Sequence, residues 1–70
     1  MTDRLRRFDV VRFRKSLDDH GVAAGARGVV LEVHESPSLA YEVEVADEHG
    51  TTVFFGAVEP DYIELETAHS

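Results

Sequence analysis

Apolar and polar residues alternate along several short segments of the chain. Within residues 8–14, Val11 and Phe13 fall on one side of an extended backbone, while Arg12 and Arg14 fall on the other. Such alternation is typical of a strand that buries one face. Four later segments are also rich in strand-forming residues. The sequence therefore predicts five β-strands, at residues 8–14, 28–35, 40–46, 51–57 and 62–66.

The alternation also predicts which side chains form the core, because one face of each strand packs against the rest of the domain. In the second strand the predicted inward residues are Val29, Leu31 and Val33, and in the fourth strand the inward residue is Phe55. The complete predicted core consists of Val11, Phe13, Leu17, Val22, Val29, Leu31, Val33, Tyr41, Val43, Val45, Phe55, Ile63 and Leu65.

Glycine, proline and short polar residues mark the connections between the predicted strands. Residues 15–26 form a long loop anchored by Leu17 and Val22, residues 47–50 form a hairpin connection, and residues 59–61 form a tight turn or one 3₁₀ turn. No segment has the period of a helix. The glycines predicted to serve backbone conformation or close packing, and not ligand binding, are Gly25, Gly28 and Gly50.

The order of these elements predicts the fold class, an all-β domain that forms a small five-stranded antiparallel SH3-like barrel. Closing the sheet would hide the edges that a short all-β chain otherwise exposes. Seventy residues suffice for one domain. We therefore expect a single domain over residues 1–70, with an ordered core of about residues 7–66 and frayed termini at residues 1–4 and 67–70.

The charges are unevenly distributed along the chain. The net charge of −7 disfavours indiscriminate binding to nucleic acid or to an anionic membrane. All seven basic residues lie within residues 1–27, together with four acidic ones, whereas residues 28–70 carry ten acidic residues and no lysine or arginine. The division indicates either a dipolar surface or a basic first strand that lies against acidic later strands, and we expect the second, with the two sets paired across the sheet.

Composition also limits the compartment and the chemistry. The chain has no cysteine, so disulfides, thiol nucleophiles and cysteine-based metal sites are excluded. No apolar run approaches the roughly 18 residues of a membrane span, and the first residues lack the apolar stretch of a signal peptide. We therefore expect a cytoplasmic protein without a membrane partner.

Candidate catalytic and metal-binding residues are few. The histidines lack the spacings of a zinc site, so no metal and no cofactor are predicted. Asp18, Asp19 and His20 are neighbours that suggest acid–base chemistry, but a domain of this size offers no obvious cavity to shift their pKa values. We expect His20 to form a local hydrogen bond or to cover apolar surface. No catalytic residue is predicted, and the protein is not expected to be an enzyme.

Several motifs follow one another in the order found in one protein family. They are DVVRF at residues 9–13, LDDHGV at residues 17–22, Gly25 and Gly28 before two valines, and YEVEV at residues 41–45. Over about residues 8–66 the chain resembles a bacterial family of small proteins of unknown function, domain of unknown function 4926. The core from Gly25 to Val30 also resembles the SH3-like domains of accessory subunits. That second resemblance implies an SH3-like fold and an accessory role, and neither resemblance implies a reaction.

An acidic face is the first candidate for binding. Glu32, Glu42 and Glu44 are predicted to point outward from neighbouring strands. Such a row would dock a basic protein, because complementary charge raises the rate of association. We therefore expect a non-enzymatic, small acidic interaction module that binds another protein as an accessory or neutralising partner, in the manner of an antitoxin or immunity protein. No oligomeric state is predicted.

The basic N-terminal segment is the alternative. Arg6, Arg7, Arg12 and Arg14 are interleaved with aromatic residues, which is the composition of a nucleic-acid groove. This predicts a nucleic-acid- or ribosome-associated SH3-like or KOW-like domain. It is the less favoured interpretation, because on so small a body acidic side chains lie within a Debye length of about 8–10 Å of the arginines.

Overall fold

The protein contains five short β-strands joined by turns and loops. This computed structural model describes residues 4–69, so the predicted fraying of residues 1–3 and of Ser70 lies outside the described residues. Two 3₁₀ turns, Asp18–His20 and Pro60–Tyr62, complete the regular structure. The strands are β1 (Val10–Phe13), β2 (Arg27–His34), β3 (Ala40–Ala46), β4 (Thr52–Val58) and β5 (Ile63–Thr67).

All five strands belong to one antiparallel sheet with the order β4-β3-β2-β1-β5. Consecutive strands β1 to β4 are neighbours, and β5 returns to the far side of β1. The prediction of an all-β domain with five antiparallel strands is confirmed. Within residues 4–69, β4 and β5 are the two edges of the sheet, so its closure into a barrel is not confirmed.

One face of the sheet carries the hydrophobic core. The ring of Phe13 meets that of Phe54 edge-on, with centroids 6.5 Å apart, and so connects β1 with β4. The buried apolar residues are Val11, Phe13, Val22, Val30, Tyr41, Val43, Val45, Phe54, Val58 and Ile63. The predicted core residues confirmed as buried are Val11, Phe13, Val22, Tyr41, Val43, Val45 and Ile63.

The predicted inward face of β2 is wrong in the first half of the strand. Val30 is fully buried, whereas Val29 and Leu31 are half-buried. The register with β3 shifts between Val30 and Glu32, and an extra residue at such a bulge moves the alternation to the other face. Beyond the bulge, Val33 packs against the core as predicted.

The prediction for β4 is also wrong, because Phe55 is 58% exposed and its neighbour Phe54 is buried. Phe54 pairs with Val45, whose side chain is inward, and the ring of His20 lies 5.1 Å from the Phe54 ring. Successive side chains of a strand point to opposite faces, so Phe55 must point outward. Leu65, also predicted to be inward, is 49% exposed because β5 is an edge strand.

Glycines are used for backbone geometry, as predicted. Gly28 is buried in β2, where a Cβ atom would lie 2.6 Å from a methyl group of Val43. Gly50 has a φ of +84° in the β3–β4 connection, a conformation that other residues adopt at a cost. No helix among residues 4–69 has the length and apolar character that crossing a membrane requires.

Candidate functional site

The basic residues of the N-terminal segment are paired with acidic residues of the later strands. Six of the seven basic residues lie 2.5 to 3.9 Å from a carboxylate within residues 32–66. The ion pairs are Arg4–Glu35, Arg7–Glu32, Arg12–Glu66, Arg14–Glu64, Lys15–Asp61 and Arg27–Glu66. The predicted pairing of a basic first strand with acidic later strands is confirmed.

Glu66 on β5 is the centre of this charge network. Its Oε1 lies 2.5 Å from Arg12 Nη2 and its Oε2 lies 2.7 Å from Arg27 Nε. The Oε1 contact is electrostatic and lacks the geometry of a hydrogen bond. Arg12 also donates a hydrogen bond to the carbonyl oxygen of Gly25. Arg12 and Arg27 are register partners on β1 and β2, so one carboxylate neutralises two adjacent cations.

A second pair sits where β1 ends. Lys15 Nζ donates a hydrogen bond of 2.9 Å to Asp61 Oδ2, and the ammonium lies 5.0 Å from the centre of the Tyr62 ring. This hydrogen bond lowers the pKa of the Asp61 carboxyl and raises the pKa of the Lys15 ammonium. Both groups are exposed, so the pair is a surface contact of modest strength.

The four arginines of the alternative interpretation do not form one open groove. Arg12 and Arg14 belong to β1 and to the residue after it, whereas Arg6 and Arg7 precede the strand. Arg7, Arg12 and Arg14 each face a carboxylate. Within residues 4–69, Arg6 has no such partner. Most of their charge is therefore compensated within the chain.

The three predicted acidic residues come together on the outer face of the sheet. Glu32 and Glu42 are register partners on β2 and β3, and Glu44 lies two residues further along β3. Side chains two residues apart on a strand share a face. The structure therefore brings the three glutamates together on one face of the sheet.

Their neighbours differ in charge. Glu32 lies 3.9 Å from Arg7 Nε. Glu42 lies 3.4 Å from the ring nitrogen of His34, and Glu44 accepts a hydrogen bond from the Thr52 hydroxyl. Within residues 4–69, neither Glu42 nor Glu44 has a lysine or arginine within ion-pair distance. Their negative charge faces solvent without a permanent counter-charge.

An apolar strip adjoins these two glutamates. Val53 and Phe55 on β4 are 48% and 58% exposed, and Ala57 is also exposed. Phe55 pairs with Glu44 and Ala57 pairs with Glu42 across the β3–β4 ladder. The acidic–apolar surface, as we call it, consists of Glu42, Glu44, Val53, Phe55 and Ala57.

Sequence reasoning missed the apolar half of this surface by assigning Phe55 to the core. A signal was present, because two adjacent phenylalanines in one strand cannot both point inward. The glycine two residues after Phe54 could have identified which one is buried. Gly56 leaves room on the inner face, where the Phe54 ring lies 3.2 Å from the position of its missing Cβ.

A tight turn before β1 carries the other unusual geometry. Phe8 is 46% exposed and has a φ of +73°, which is rare for a bulky residue. The buried Asp9 holds this turn, because one carboxylate oxygen accepts the N–H of Arg6 and the other accepts the N–H of His69. Phe8 lies edge-on to the His69 ring, with centroids 5.6 Å apart.

An open cleft of about 640 Å³ lies between this turn and the end of the chain. Arg4 in its wall is paired with Glu35, and both oxygens of Asp9 already accept backbone N–H groups. Asp9 therefore joins the turn before β1 to the C-terminal part of the domain.

Histidines and acidic residues do not form a metal-binding cluster in residues 4–69. His20 lies against Phe54, which confirms the prediction that it covers apolar surface. Asp18 and Asp19, in the same 3₁₀ turn, are exposed. The candidate site that remains is the acidic–apolar surface on β3 and β4.

Comparison with known proteins gives a family. The family model described as a domain of unknown function, DUF4926, matches residues 7–65. The chain belongs to this family. The resemblance inferred from the sequence motifs is thereby confirmed. No curated protein and no solved structure gives a significant match.

The DUF4926 match includes the whole acidic–apolar surface, since Glu42 to Ala57 fall well inside residues 7–65. It ends one residue before Glu66, the centre of the charge network. The family description assigns no activity.

Proposed function

We propose that this DUF4926 domain is a non-enzymatic interaction module that binds a basic protein through its acidic–apolar surface. One observation carries the proposal. Phe55 and Val53 are about half exposed, and they adjoin Glu42 and Glu44, which lack a lysine or arginine partner within residues 4–69. An accessory or neutralising role in the cytoplasm, as for an antitoxin or immunity protein, belongs to the same proposal.

The combination of aromatic and acidic residues favours a protein as the partner. Exposed aromatic side chains are frequent hot spots of protein interfaces, because they bury a large area with little loss of conformational freedom. Phe55 would provide such an anchor. Glu42 and Glu44 would form a charged rim that attracts a basic partner and selects against an acidic one.

The arrangement of the ion pairs also favours a basic protein as the partner. Most of the basic side chains neutralise carboxylates of the later strands, whereas within residues 4–69 Glu42 and Glu44 on β3 have no lysine or arginine partner. A surface with uncompensated charge of one sign steers an oppositely charged partner. Nucleic acid would have to compete with the chain's own carboxylates for Arg7, Arg12 and Arg14.

The test begins with affinity purification from the native host, followed by titration of the purified partner against variants of the domain. We expect the double variant Glu42→Gln/Glu44→Gln to bind about tenfold more weakly at low salt, and Phe55→Ala to weaken binding by a similar factor. Raising the ionic strength should reduce affinity for the wild-type domain. Glu64→Gln, on β5, is the matched control and should bind normally.

The alternative function, nucleic-acid binding, predicts that the arginines and not the glutamates determine the affinity. If the domain bound nucleic acid, Arg7→Gln/Arg12→Gln/Arg14→Gln would lower affinity for all sequences and flatten its salt dependence by about 0.7–0.9 for each phosphate that is no longer neutralised. Titration with single- and double-stranded RNA and DNA at about 0.15 M salt should show nothing tighter than the roughly 10⁻⁴–10⁻⁶ M of non-specific binding. A saturable, submicromolar complex abolished by the arginine changes would replace our proposal.

A further inference from the structure

We infer that the partner binds by strand addition: an extended, basic segment pairs with the free edge of β4, and its cationic side chains cross Phe55 and Ala57 to reach Glu44 and Glu42. This inference rests on the proposed function and specifies its binding mode. It identifies the partner by chemistry, as an exposed strand or flexible tail that alternates basic and apolar residues.

The free edge of β4 is the first support. β4 spans seven residues, Thr52–Val58, and pairs with β3 on one side, whereas no strand within residues 4–69 pairs with its other side. In an antiparallel ladder, alternate residues direct their N–H and C=O groups away from the neighbouring strand. These groups are a template on which another extended chain can form hydrogen bonds.

The sequence of β4 does nothing to block such pairing. Proteins protect edge strands with lysine, other charges, proline, bulges or very short strands. The segment TVFFGAV contains no charged residue and no proline. Its one register irregularity with β3 lies towards its first residue, between Val45 and Ala46 of the neighbouring strand. Most of the strand therefore presents a regular edge.

The cross-strand register explains why the partner should be basic. An added strand would lie about 4.8 Å from β4 and about twice that from β3. A lysine or arginine opposite Phe55 can lay its apolar stem over the ring and bring its charge towards Glu44. A cation opposite Ala57 meets only a methyl group on its path to Glu42.

The third outward position calls for a different residue. Val53 is half exposed, its neighbour Thr52 pairs with the uncharged Ala46, and the Glu44 carboxylate that reaches this end of the strand already accepts the Thr52 hydroxyl. An apolar residue opposite Val53 would bury both side chains. The outward face of the partner strand should therefore carry two basic residues and one apolar residue at every second position, ordered from Ala57 towards Val53.

A second copy of this chain fits the surface poorly. Its β4 strand has no cation to offer to Glu42 or Glu44, and each copy carries a net charge of −7, which repels the other. The uncompensated carboxylates thus select a basic segment over self-association. Self-association through β4 is an outcome that the experiment must detect.

The probe is a blocked nine-residue peptide whose outward positions carry lysine, lysine and valine and whose inward positions carry threonine and valine. Its control has glutamate in place of lysine. Titration is followed by amide NMR spectra and hydrogen exchange of the full chain. We expect saturable binding of the lysine peptide at about 1 mM or below, slower exchange of β4 amides, no change at β5, and no binding of the glutamate peptide.

Matched edge variants test the location. Phe55→Lys and Val53→Lys place an edge-blocking cation on exposed positions of β4, and each should weaken binding of the lysine peptide about tenfold or more. Leu65→Lys makes the same change at the 49% exposed position of β5 and should leave binding unchanged. A thermal melt of each variant verifies folding. If one of the two β4 variants does not fold, the other one tests whether the peptide binds at the β4 edge.

Several outcomes would overturn strand addition. One is that Leu65→Lys weakens binding of the lysine peptide as much as the β4 variants do. Another is that the exchange of β4 amides is not slowed at up to about 1 mM peptide. A third is that the peptide shifts the amide NMR signals of Glu42 and Glu44 without slowing hydrogen exchange on β4. The last result would leave the proposed function intact, because the acidic face would still bind the peptide. A dimer that forms without peptide and is broken by Phe55→Lys would assign the edge to a second copy. The proposed function itself would be refuted only if changes in the acidic–apolar surface did not affect binding of the native partner.

Discussion

The two edge strands of the sheet, β4 and β5, differ in the charge of their side chains. β5 carries Glu64 and Glu66, and these carboxylates face Arg14, Arg12 and Arg27. β4 carries no charged residue, and two of its large apolar side chains are about half exposed. The β5 edge is thus covered by charges that the domain itself neutralises. Within residues 4–69 no strand pairs with the β4 edge, and the strand carries no charge that would discourage pairing with another strand.

The difference follows from the order of the chain. β5 pairs with β1, so the acidic C-terminal strand lies directly beside the basic N-terminal one. β3 and β4 form the opposite part of the sheet, and the lysines and arginines all precede residue 28. A division of charge along the sequence becomes a division in space: one compensated end, and one end that is acidic and apolar.

The largest effect should separate the two adjacent phenylalanines of β4. Phe54 is buried against Phe13 and His20, whereas Phe55 is 58% exposed. We expect Phe54→Ala to lower the free energy of unfolding by about 3 kcal/mol. Phe55→Ala should change it by no more than about 0.5 kcal/mol. Urea unfolding followed by circular dichroism measures both.

If Phe54→Ala and Phe55→Ala lowered the free energy of unfolding equally, the contrast between the β4 and β5 edges would be wrong. Equal losses would mean that Phe55 shares the core with Phe54, and the exposed apolar strip on β4 would not exist. The β5 edge provides the reference, because Leu65→Ala removes a side chain of similar exposure, 49%, from the compensated end.

These same residues show where sequence reasoning succeeds and where it fails. Strand positions were predictable, because alternation over several residues is a local property. The inward face of β2 was not, since the bulge between Val30 and Glu32 depends on how β2 meets β3 and leaves no clear mark in the local pattern. In β4 the alternation is hidden, because Phe54 and Phe55 are both apolar; Gly56 is a sequence signal for which of them is buried, and the register with Val45 decides it.

The candidate surface was predictable in one half. Glu42 and Glu44 were expected on the outer face, and the strict alternation of β3 made that inference safe. The pairing of early cations with late acids also followed from the charge distribution. The missing half was the apolar one, because a sequence identifies a hydrophobic residue readily but does not reveal that an edge strand leaves it uncovered.

A smaller effect should distinguish the carboxylates of the two regions. Glu66 is 22% exposed and neutralises Arg12 and Arg27, so Glu66→Gln leaves two neighbouring cations without their shared counter-charge. We expect a loss of about 1 kcal/mol in the free energy of unfolding. Glu44→Gln keeps an acceptor for the Thr52 hydroxyl and should alter stability by less than about 0.5 kcal/mol.

Salt concentration provides a further test of the Glu66→Gln and Glu44→Gln variants. At about 1 M NaCl the Debye length falls to about 3 Å, so the loss caused by Glu66→Gln should shrink while the small effect of Glu44→Gln stays small. Thermal and urea unfolding at low and high salt provide the measurement. A larger loss from Glu44→Gln than from Glu66→Gln would show that the acidic end, and not the compensated one, depends on its charges for stability.

The smallest effect concerns Lys15 and Asp61, an exposed pair at the compensated end. The hydrogen bond from Lys15 lowers the pKa of Asp61, so its stabilising contribution is present above the unfolded pKa and is lost as the pH falls through the folded pKa. The same bond raises the pKa of Lys15, whose contribution is present below its unfolded pKa and is lost as the pH rises through the folded one. The pair therefore contributes between these two limits, from mildly acidic to alkaline pH.

Lys15→Met keeps much of the apolar stem that lies near the Tyr62 ring and removes the charge. We expect the pKa of the Asp61 carboxyl, followed by carbon NMR during an acid titration, to rise towards its ordinary value of 3.8, while the melting temperature at neutral pH changes little. In an Asp61→Asn background the same lysine change should have no further effect on stability, because the two residues act as a pair. If Asp61 titrates identically with and without Lys15, the ion pair does not form in solution. The compensated end would then rest on Glu64 and Glu66 alone, and its contrast with the β4 edge would be correspondingly weaker.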